Sequence, residues 1–213
     1  SLGSYYSVRD YCAVDPCLGT MEDFDAFVAE AHRLGMKVLL DWIANHTARD
    51  ARWVTEKPAS WYERDASGAP AVPWDWTDTA KLNYAEREVW RAQGDAMEFW
   101  VREHGVDGFR CDMAMLVPIE FWNETAQRLR RVKPGLFMLA EAEETYLFDG
   151  GAFDACYAWE MHHLMNDVAQ QRVRVTSLRD YIYADRRRYP RSAMRLAFTS
   201  NHDENSWNGS EFS

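Results

Sequence analysis

The sequence predicts an α/β fold of the (β/α)8 TIM-barrel class, because short apolar runs alternate with amphipathic helical segments along the chain. Five of these runs have the pattern of buried parallel strands. Four of them end in a carboxylate: Asp41, Asp112, Glu141 and Asp203. In a barrel of parallel strands the carboxyl ends meet at one rim, where active sites are built. Four acidic strand ends therefore predict a catalytic rim rather than a set of helix caps.

The first predicted unit is a helix followed by a strand. Thr20-Met21-Glu22-Asp23 has the pattern of a capping box, and the apolar residues after it have helical spacing up to Gly35. Residues 36–43 then form an apolar run with Asp41 near its carboxyl end, as in a buried parallel strand. Helix, glycine and strand together predict the repeating joint of an α/β fold.

An irregular segment then interrupts the alternation. Residues 47–82 are rich in proline, turn pairs and tryptophan. This segment is too long for an ordinary loop between a strand and a helix. We therefore predict a short inserted subdomain over residues 47–82, with the rest of residues 1–213 forming one catalytic domain.

The remaining sequence repeats helices and strands. The predicted helices cover about residues 85–104, 118–132 and 161–188, and the predicted strands cover residues 106–111, 136–140, 153–159 and 194–200. Only about a dozen residues separate the third and fourth of the five strands, so the helix between them is predicted to be short or absent.

Composition argues against several kinds of partner. The net charge is −10, and the basic cluster Arg186-Arg187-Arg188 has the pattern of a solvated helix face, so nucleic acid and anionic membranes are not predicted partners. No apolar run approaches membrane-spanning length. The cysteines lack metal-site spacing: Cys111 and Cys156 are predicted to be buried, and Cys12 and Cys17 to be free thiols.

The segment Gly108-Phe109-Arg110-Cys111-Asp112 is the centre of the site prediction. A two-residue offset along a strand places Arg110 and Asp112 on the same face. We expect the guanidinium to lower the pKa of Asp112 and keep it ionised. Glu141 follows apolar residues and lies near other carboxylates, so its pKa is expected to be raised.

These strand ends resemble the signature regions of glycoside hydrolase family 13, the alpha-amylase family. The four matching segments are Asp41-Trp42-Ile43-Ala44-Asn45-His46, Gly108-Phe109-Arg110-Cys111-Asp112, Glu141, and Asn201-His202-Asp203. Their order, spacing and strand context agree over essentially the whole chain. The resemblance implies a partial barrel in which strands 3 to 7 are present and the first two and the eighth are missing.

The resemblance also implies a role for each site residue. Asp112 would be the nucleophile, Glu141 the general acid/base, and Asp203 the carboxylate that orients substrate hydroxyls. The residues expected around the sugar are Arg110, His46, His202 and, as an aromatic platform, Tyr6, with Asp41 and Asn45 in support. These roles suit retaining cleavage, which needs one ionised and one protonated carboxyl on opposite sides of the glycosidic bond.

The function implied is a retaining hydrolase that cleaves α-1,4-glucosidic bonds of starch, glycogen or maltodextrins. A transglycosylase or isomerase on α-glucans or sucrose-like substrates stays open, as does a non-catalytic glycan-binding homologue. Retention of all three carboxylates argues against the binding homologue. The short insertion favours an open cleft, with rim contacts from Trp74, Trp76 and the segment Asn205-Ser206-Trp207.

No cofactor is required for this chemistry, although the resemblance leaves a structural calcium open. Many family members bind calcium through an asparagine of the first region, which is the position of Asn45. Residues 114–117 depart from the calcium-dependent pattern, because they lack its Lys-His pair. His162 and His163 are expected to point in different directions on a helix and to be structural.

Overall fold

The structure is a computed structural model that describes residues 3–207, with side chains described as far as Glu204. Its helices and strands, in chain order, are α1 (Met21–Arg33), β1 (Leu39–Trp42), β2 (His46–Ala48), α2 (Arg52–Glu56), β3 (Thr79–Lys81), α3 (Arg87–Arg102), β4 (Gly108–Cys111), α4 (Ile119–Val132), β5 (Phe137–Ala140), β6 (Ala155–Tyr157), α5 (Trp159–Ala169), α6 (Thr176–Arg188), β7 (Met194–Leu196) and α7 (His202–Trp207). Short 3-10 turns lie at Ala59–Trp61, Ala114–Leu116 and Thr145–Phe148.

One parallel sheet organises the described chain. Its five strands lie in the order β1, β4, β5, β6, β7. Past the ends of β4 and β5 the ladder continues by one bond each, because the N–H of Asp112 donates to Trp42 O and that of Glu141 donates to Cys111 O, both at 3.0 Å. The carboxyl ends of β1, β4 and β5 are therefore aligned, as the sequence predicts.

The two faces of β4 differ in chemistry because side chains alternate along a strand. Phe109 and Cys111 are fully buried in the main core, which packs the sheet against α3 and α4. Arg110, between them, faces the opposite side. Gly108 is required by close packing, since a Cβ there would lie 1.9 Å from Phe137 O in β5.

The segment over residues 47–82 has secondary structure of its own. β2 and β3 pair antiparallel, with His46 opposite Lys81. A separate apolar cluster of Trp61, Tyr62, Ala80, Leu82 and Val89 stabilises this pair and joins it to α3. The assignment of this segment as an inserted subdomain stays a prediction.

The structure corrects two predictions in the last third of the chain. Residues 161–188 are not one helix, because α5 ends at Ala169 and Gln171 has a left-handed backbone (φ 60°) before α6 begins. The strand predicted over residues 194–200 ends at Leu196, and His202 opens α7 instead of following a strand directly. The connection between β5 and β6 is a 3-10 turn, which confirms the expected short or absent helix there.

Among the described residues, no helix is both long and apolar enough to cross a membrane.

Candidate active site

A single buried arginine holds the carboxyl edge of the sheet together. Arg110 Nη1 lies 2.7 Å from Asp41 Oδ1 and 3.0 Å from Asp112 Oδ1. Its Nη2 lies 2.5 Å from Glu141 Oε1, a close ion pair whose angles fall outside those of a hydrogen bond. One guanidinium on β4 therefore contacts carboxylates that follow or end three adjacent strands.

A strained turn after β4 supplies a second contact to Glu141. Met113 has a left-handed backbone (φ 42°), which is costly for a residue with a side chain. In this conformation its N–H donates to Glu141 Oε2 at 3.0 Å. Nothing in the sequence around Met113 signals this turn, since methionine has no preference for it.

Burial, rather than Arg110, decides the charge state of Asp112. Burial raises its pKa, the nearby Glu141 raises it further, and Arg110 lowers it, with a net value of about 7. The pKa of Glu141 is also raised, first by burial, against lowering by Arg110 and the Met113 N–H. The expectation that Arg110 leaves Asp112 with a lowered pKa is therefore wrong, because burial and the neighbouring Glu141 outweigh Arg110. The two carboxyls titrate as a pair.

Tyr6 links Asp41 to His202. Its hydroxyl donates to Asp41 Oδ2 at 2.9 Å and lies 2.7 Å from His202 Nε2, so His202 must donate through Nε2. The two rings are stacked, with centroids 5.5 Å apart. Burial and the neighbouring Asp41 raise the pKa of Tyr6 far above its ordinary value, so the hydroxyl stays protonated.

Asp203 lies on the first turn of α7, next to His202. His202 Nε2 is 3.5 Å from Asp203 Oδ1, and the charge of Asp203 raises the pKa of Glu141. Asp203 is therefore close enough to the Asp112–Glu141 pair to share its field. The structure thus brings together all three predicted carboxylates.

His46 is buried at the start of β2. Burial lowers its pKa to about 4, so the imidazole is neutral near neutral pH. Its ring lies 5.3 Å from that of Trp76, which in turn lies 4.7 Å from that of Trp74. Trp74 is largely exposed and left-handed (φ 51°). The side chains of Asn205, Ser206 and Trp207 lie outside the described part of the chain.

Asn45, the position that the resemblance leaves open as a calcium ligand, is buried beside His46. Its amide nitrogen lies 3.3 Å from His46 Nδ1. Across residues 3–207, the one group of three acidic or imidazole side chains close enough to share an ion lies elsewhere, at His162, His163 and Glu204.

Tyr157, at the end of β6, is a site residue that the sequence interpretation missed. Arg110 Nε donates to its hydroxyl at 3.3 Å, so Tyr157 fixes the third side of the guanidinium. The available signal was its place at the end of an apolar strand. A search for charged strand ends alone passes over it.

A parallel α/β sheet with buried carboxylates at the carboxyl ends of its strands is typical of (β/α)8-barrel enzymes. Within that class, the family model of the alpha amylase catalytic domain matches residues 3–76 and 60–209. The chain belongs to this family.

Solved structures share the fold closely. An alpha-amylase from Lactobacillus plantarum matches with a TM-score of 0.87 and 33% identity, over 95% of this chain and 51% of that one. A maltogenic alpha-amylase from Thermotoga neapolitana matches with a TM-score of 0.86 and 36% identity, over 95% of this chain and 47% of that one. The predicted fold class is confirmed, and the described strands form an open part of such a barrel.

Curated relatives agree with this assignment. The alpha-amylase MalA of Haloarcula japonica is 34% identical over 158 residues, which cover 70% of this chain and 23% of that protein. A cyclomaltodextrinase of Geobacillus thermopakistaniensis is 27% identical over 93% of this chain and 37% of that protein. The chain thus spans between about a quarter and about half of the length of these relatives and structures.

Proposed function

We propose that the complete protein is a retaining glycoside hydrolase that cleaves α-1,4-glucosidic bonds in starch, glycogen or maltodextrins. The observation that carries the proposal is the contact of one buried arginine with Asp41, Asp112 and Glu141, two of which have raised pKa values. Raised pKa values in adjacent carboxyls favour a shared proton, and retaining cleavage requires one protonated and one ionised carboxyl. The names of the relatives support an α-glucan as the substrate class.

In the first step, an ionised oxygen of Asp112 attacks the anomeric carbon and forms a covalent glycosyl ester. The glycosidic bond breaks as Glu141 gives its proton to the leaving oxygen. Glu141 becomes ionised when it loses its proton. It then faces no second charged carboxylate, because Asp112 has become a neutral ester. The shared field therefore favours attack and proton transfer together.

In the second step, the ionised Glu141 takes a proton from water, and the water oxygen attacks the anomeric carbon. Asp112 leaves as a carboxylate, and the configuration is retained after two inversions. Arg110 stays charged throughout: burial lowers its pKa, but Glu141 and Asp41 raise it well above its ordinary value. Arg110 can therefore stabilise the negative charge, which lies on Asp112 before the attack and on Glu141 after it.

The other predicted residues are proposed to hold the sugar. Neutral His46 and the imidazole of His202 can hydrogen bond to sugar hydroxyls, and the Tyr6 ring can stack on the sugar face. Asp203 is proposed to bind ring hydroxyls more strongly as positive charge develops. Residues 47–82 are proposed to form a short wall of an open cleft, because Trp76 packs on His46.

A transglycosylase or isomerase would use the same first step, and a glycan-binding homologue would use none. Proton NMR of maltoheptaose digestion by the complete protein separates them. We expect shorter products released as the α-anomer. Chains longer than the substrate would favour a transglycosylase, β-anomers would contradict retention, and binding without turnover would contradict the enzymatic proposal.

A further inference from the structure

The described residues contain a cluster of metal-ligating side chains that the proposed reaction does not use. One nitrogen each from His162 and His163, on α5, and a carboxylate oxygen of Glu204, on α7, all lie within 4.8 Å of one another. Adjacent histidines on a helix are expected to diverge, yet α7 brings Glu204 to the space between them. From this geometry we propose that His162, His163 and Glu204 bind a divalent transition-metal cation of the Zn²⁺ type.

His162 has the orientation of a metal ligand. Its Nδ1 lies 3.2 Å from the backbone oxygen of Phe198, which can only accept, so Nδ1 carries the proton. A hydrogen bond from one ring nitrogen to a backbone carbonyl is the arrangement that fixes metal-ligating histidines. The other nitrogen, Nε2, lies 3.3 Å from Asn166 Nδ2 and 3.5 Å from Glu204 Oε2, and it is the atom that would bind the cation.

The surroundings hold that ring in place. His162 is fully buried, and its ring stacks on Phe198 with centroids 4.6 Å apart. Its neighbour His163 is exposed, with the two imidazole centroids 5.3 Å apart, so solvent reaches the cluster from that side. A rigid buried ligand beside an exposed one gives a cation a path of entry.

The donor set selects the class of cation. Two imidazole nitrogens and one carboxylate oxygen suit Zn²⁺ and its neighbours, whereas Ca²⁺ and Mg²⁺ take oxygen ligands almost exclusively. Zinc ligands lie about 2.0–2.2 Å from the ion, so the cluster must tighten around it. Three protein ligands leave a fourth position for water.

The position of the cluster gives the cation a consequence. Glu204 follows Asp203 directly, and His202 begins the same short helix. A cation shared by α5 and Glu204 would fix the first turn of α7 and so the placement of Asp203. This consequence rests on the proposed glycosidase function, whereas the binding site itself does not.

Cobalt(II) and Zn²⁺ titration of the complete, tag-free protein tests the site. We expect one Co²⁺ per chain with visible d–d absorption of a nitrogen–oxygen site, displaced by one equivalent of Zn²⁺. His163→Ala and Glu204→Gln should each weaken binding by about tenfold or more, since even loss of a ligand's hydrogen-bond partner costs about 10–100-fold. Glu160→Gln removes a carboxylate on the same helix that pairs with Arg188, and should leave binding unchanged.

The site would be contradicted if the wild-type protein bound no Co²⁺ at 100-fold excess, or if both cluster variants bound as well as Glu160→Gln. His163 is exposed, so its removal should leave the metal-free melting temperature unchanged and exclude misfolding as the cause. For the consequence, Zn²⁺ should raise kcat/KM on maltoheptaose in the wild type several-fold over His163→Ala. Equal activity would refute the clamp on α7, and a complete lack of turnover with an intact cobalt spectrum would refute only the glycosidase function.

Discussion

Two buried aspartates at opposite ends of β4 behave in opposite ways. Asp107 precedes the strand and is 6% exposed, and Asp112 follows it and is 7% exposed. Burial raises the pKa of Asp107, but hydrogen bonds from Val38 N–H, Lys133 and His32 more than offset it and hold the pKa well below its ordinary value. The pKa of Asp112 is raised to about 7.

The two pKa values differ because Asp112 lies deeper in the protein and because the two carboxylates have different partners. Asp107 has Lys133 at 2.9 Å, Lys37 at 3.3 Å and His32 at 2.6 Å to itself. Asp112 shares Arg110 with two other carboxylates. Similar exposure therefore goes with a lowered pKa where cations exceed acids, and with a raised pKa where acids exceed cations and the carboxyl lies deeper in the protein. We therefore expect substitution at the first end of the strand to affect mainly stability, and substitution at the second end to affect mainly activity.

The largest expected effect is on activity at the rim. Asp112→Asn removes the proposed nucleophile and should lower kcat on maltoheptaose by about 10³-fold or more, because one buried catalytic group is lost. Asp107→Asn is the matched control with similar exposure and the same substitution. It should keep kcat within about threefold once folded. Steady-state kinetics of both variants measure this difference. Equal losses of kcat would contradict the proposed contrast between the two aspartates.

The next effect is on stability at the other end. Asp107→Asn should lower the free energy of unfolding at pH 7 by about 2–4 kcal/mol, because a buried ion-pair cluster loses its anion. The folded-state pKa is depressed, so this stabilisation is present above the unfolded value near 4 and is lost as pH falls toward the folded value. Urea unfolding at pH 7 and pH 3 checks the sign. A larger loss at pH 3 would contradict it.

Asp112→Asn should show the opposite dependence on pH. The folded-state pKa is raised, so ionisation of Asp112 costs stability as pH rises from about 4 through about 7. The neutral variant should gain about 1–3 kcal/mol over the wild type at pH 8 relative to pH 4, which sharpens the contrast with Asp107. Melting temperatures at the two pH values measure this difference, and a gain at pH 4 alone would oppose it.

The smallest effect concerns the exposed rim. Trp74→Ala should lower kcat/KM on maltoheptaose about 3–10-fold and leave maltotriose nearly unchanged, since one stacking surface beyond the cleavage point is lost. Tyr183→Ala is the control, because Tyr183 is equally exposed, at 60% against 61%, but lies on α6. Equal losses on short and long substrates would place Trp74 outside the chain-binding surface.

Strand ends were predictable because chemistry and position coincide there. Asp112 and Glu141 follow apolar runs, and parallel pairing brings them together. The pKa of Asp112 was not predictable, because it depends first on burial and then on the approach of Glu141 and the sharing of Arg110, which arise only in three dimensions.

Other parts of the site lacked any local signal. Met113 adopts a left-handed turn without a turn-forming residue. Tyr157 contributes through an uncharged hydroxyl. Glu204 meets His162 and His163 only because α7 folds back to α5 from about 40 residues away along the chain. Sequence patterns record repeats within an element, whereas these contacts join elements.

The assignment of Asp112 as the nucleophile is tested most directly by trapping the covalent intermediate. The complete protein carrying Glu141→Gln is incubated with an activated 5-fluoro-maltosyl donor, quenched in acid, digested and sequenced by mass spectrometry. We predict one maltosyl adduct, on the carboxylate of Asp112. An adduct on Asp41 or Asp203, or none while the donor is turned over, would contradict the assignment.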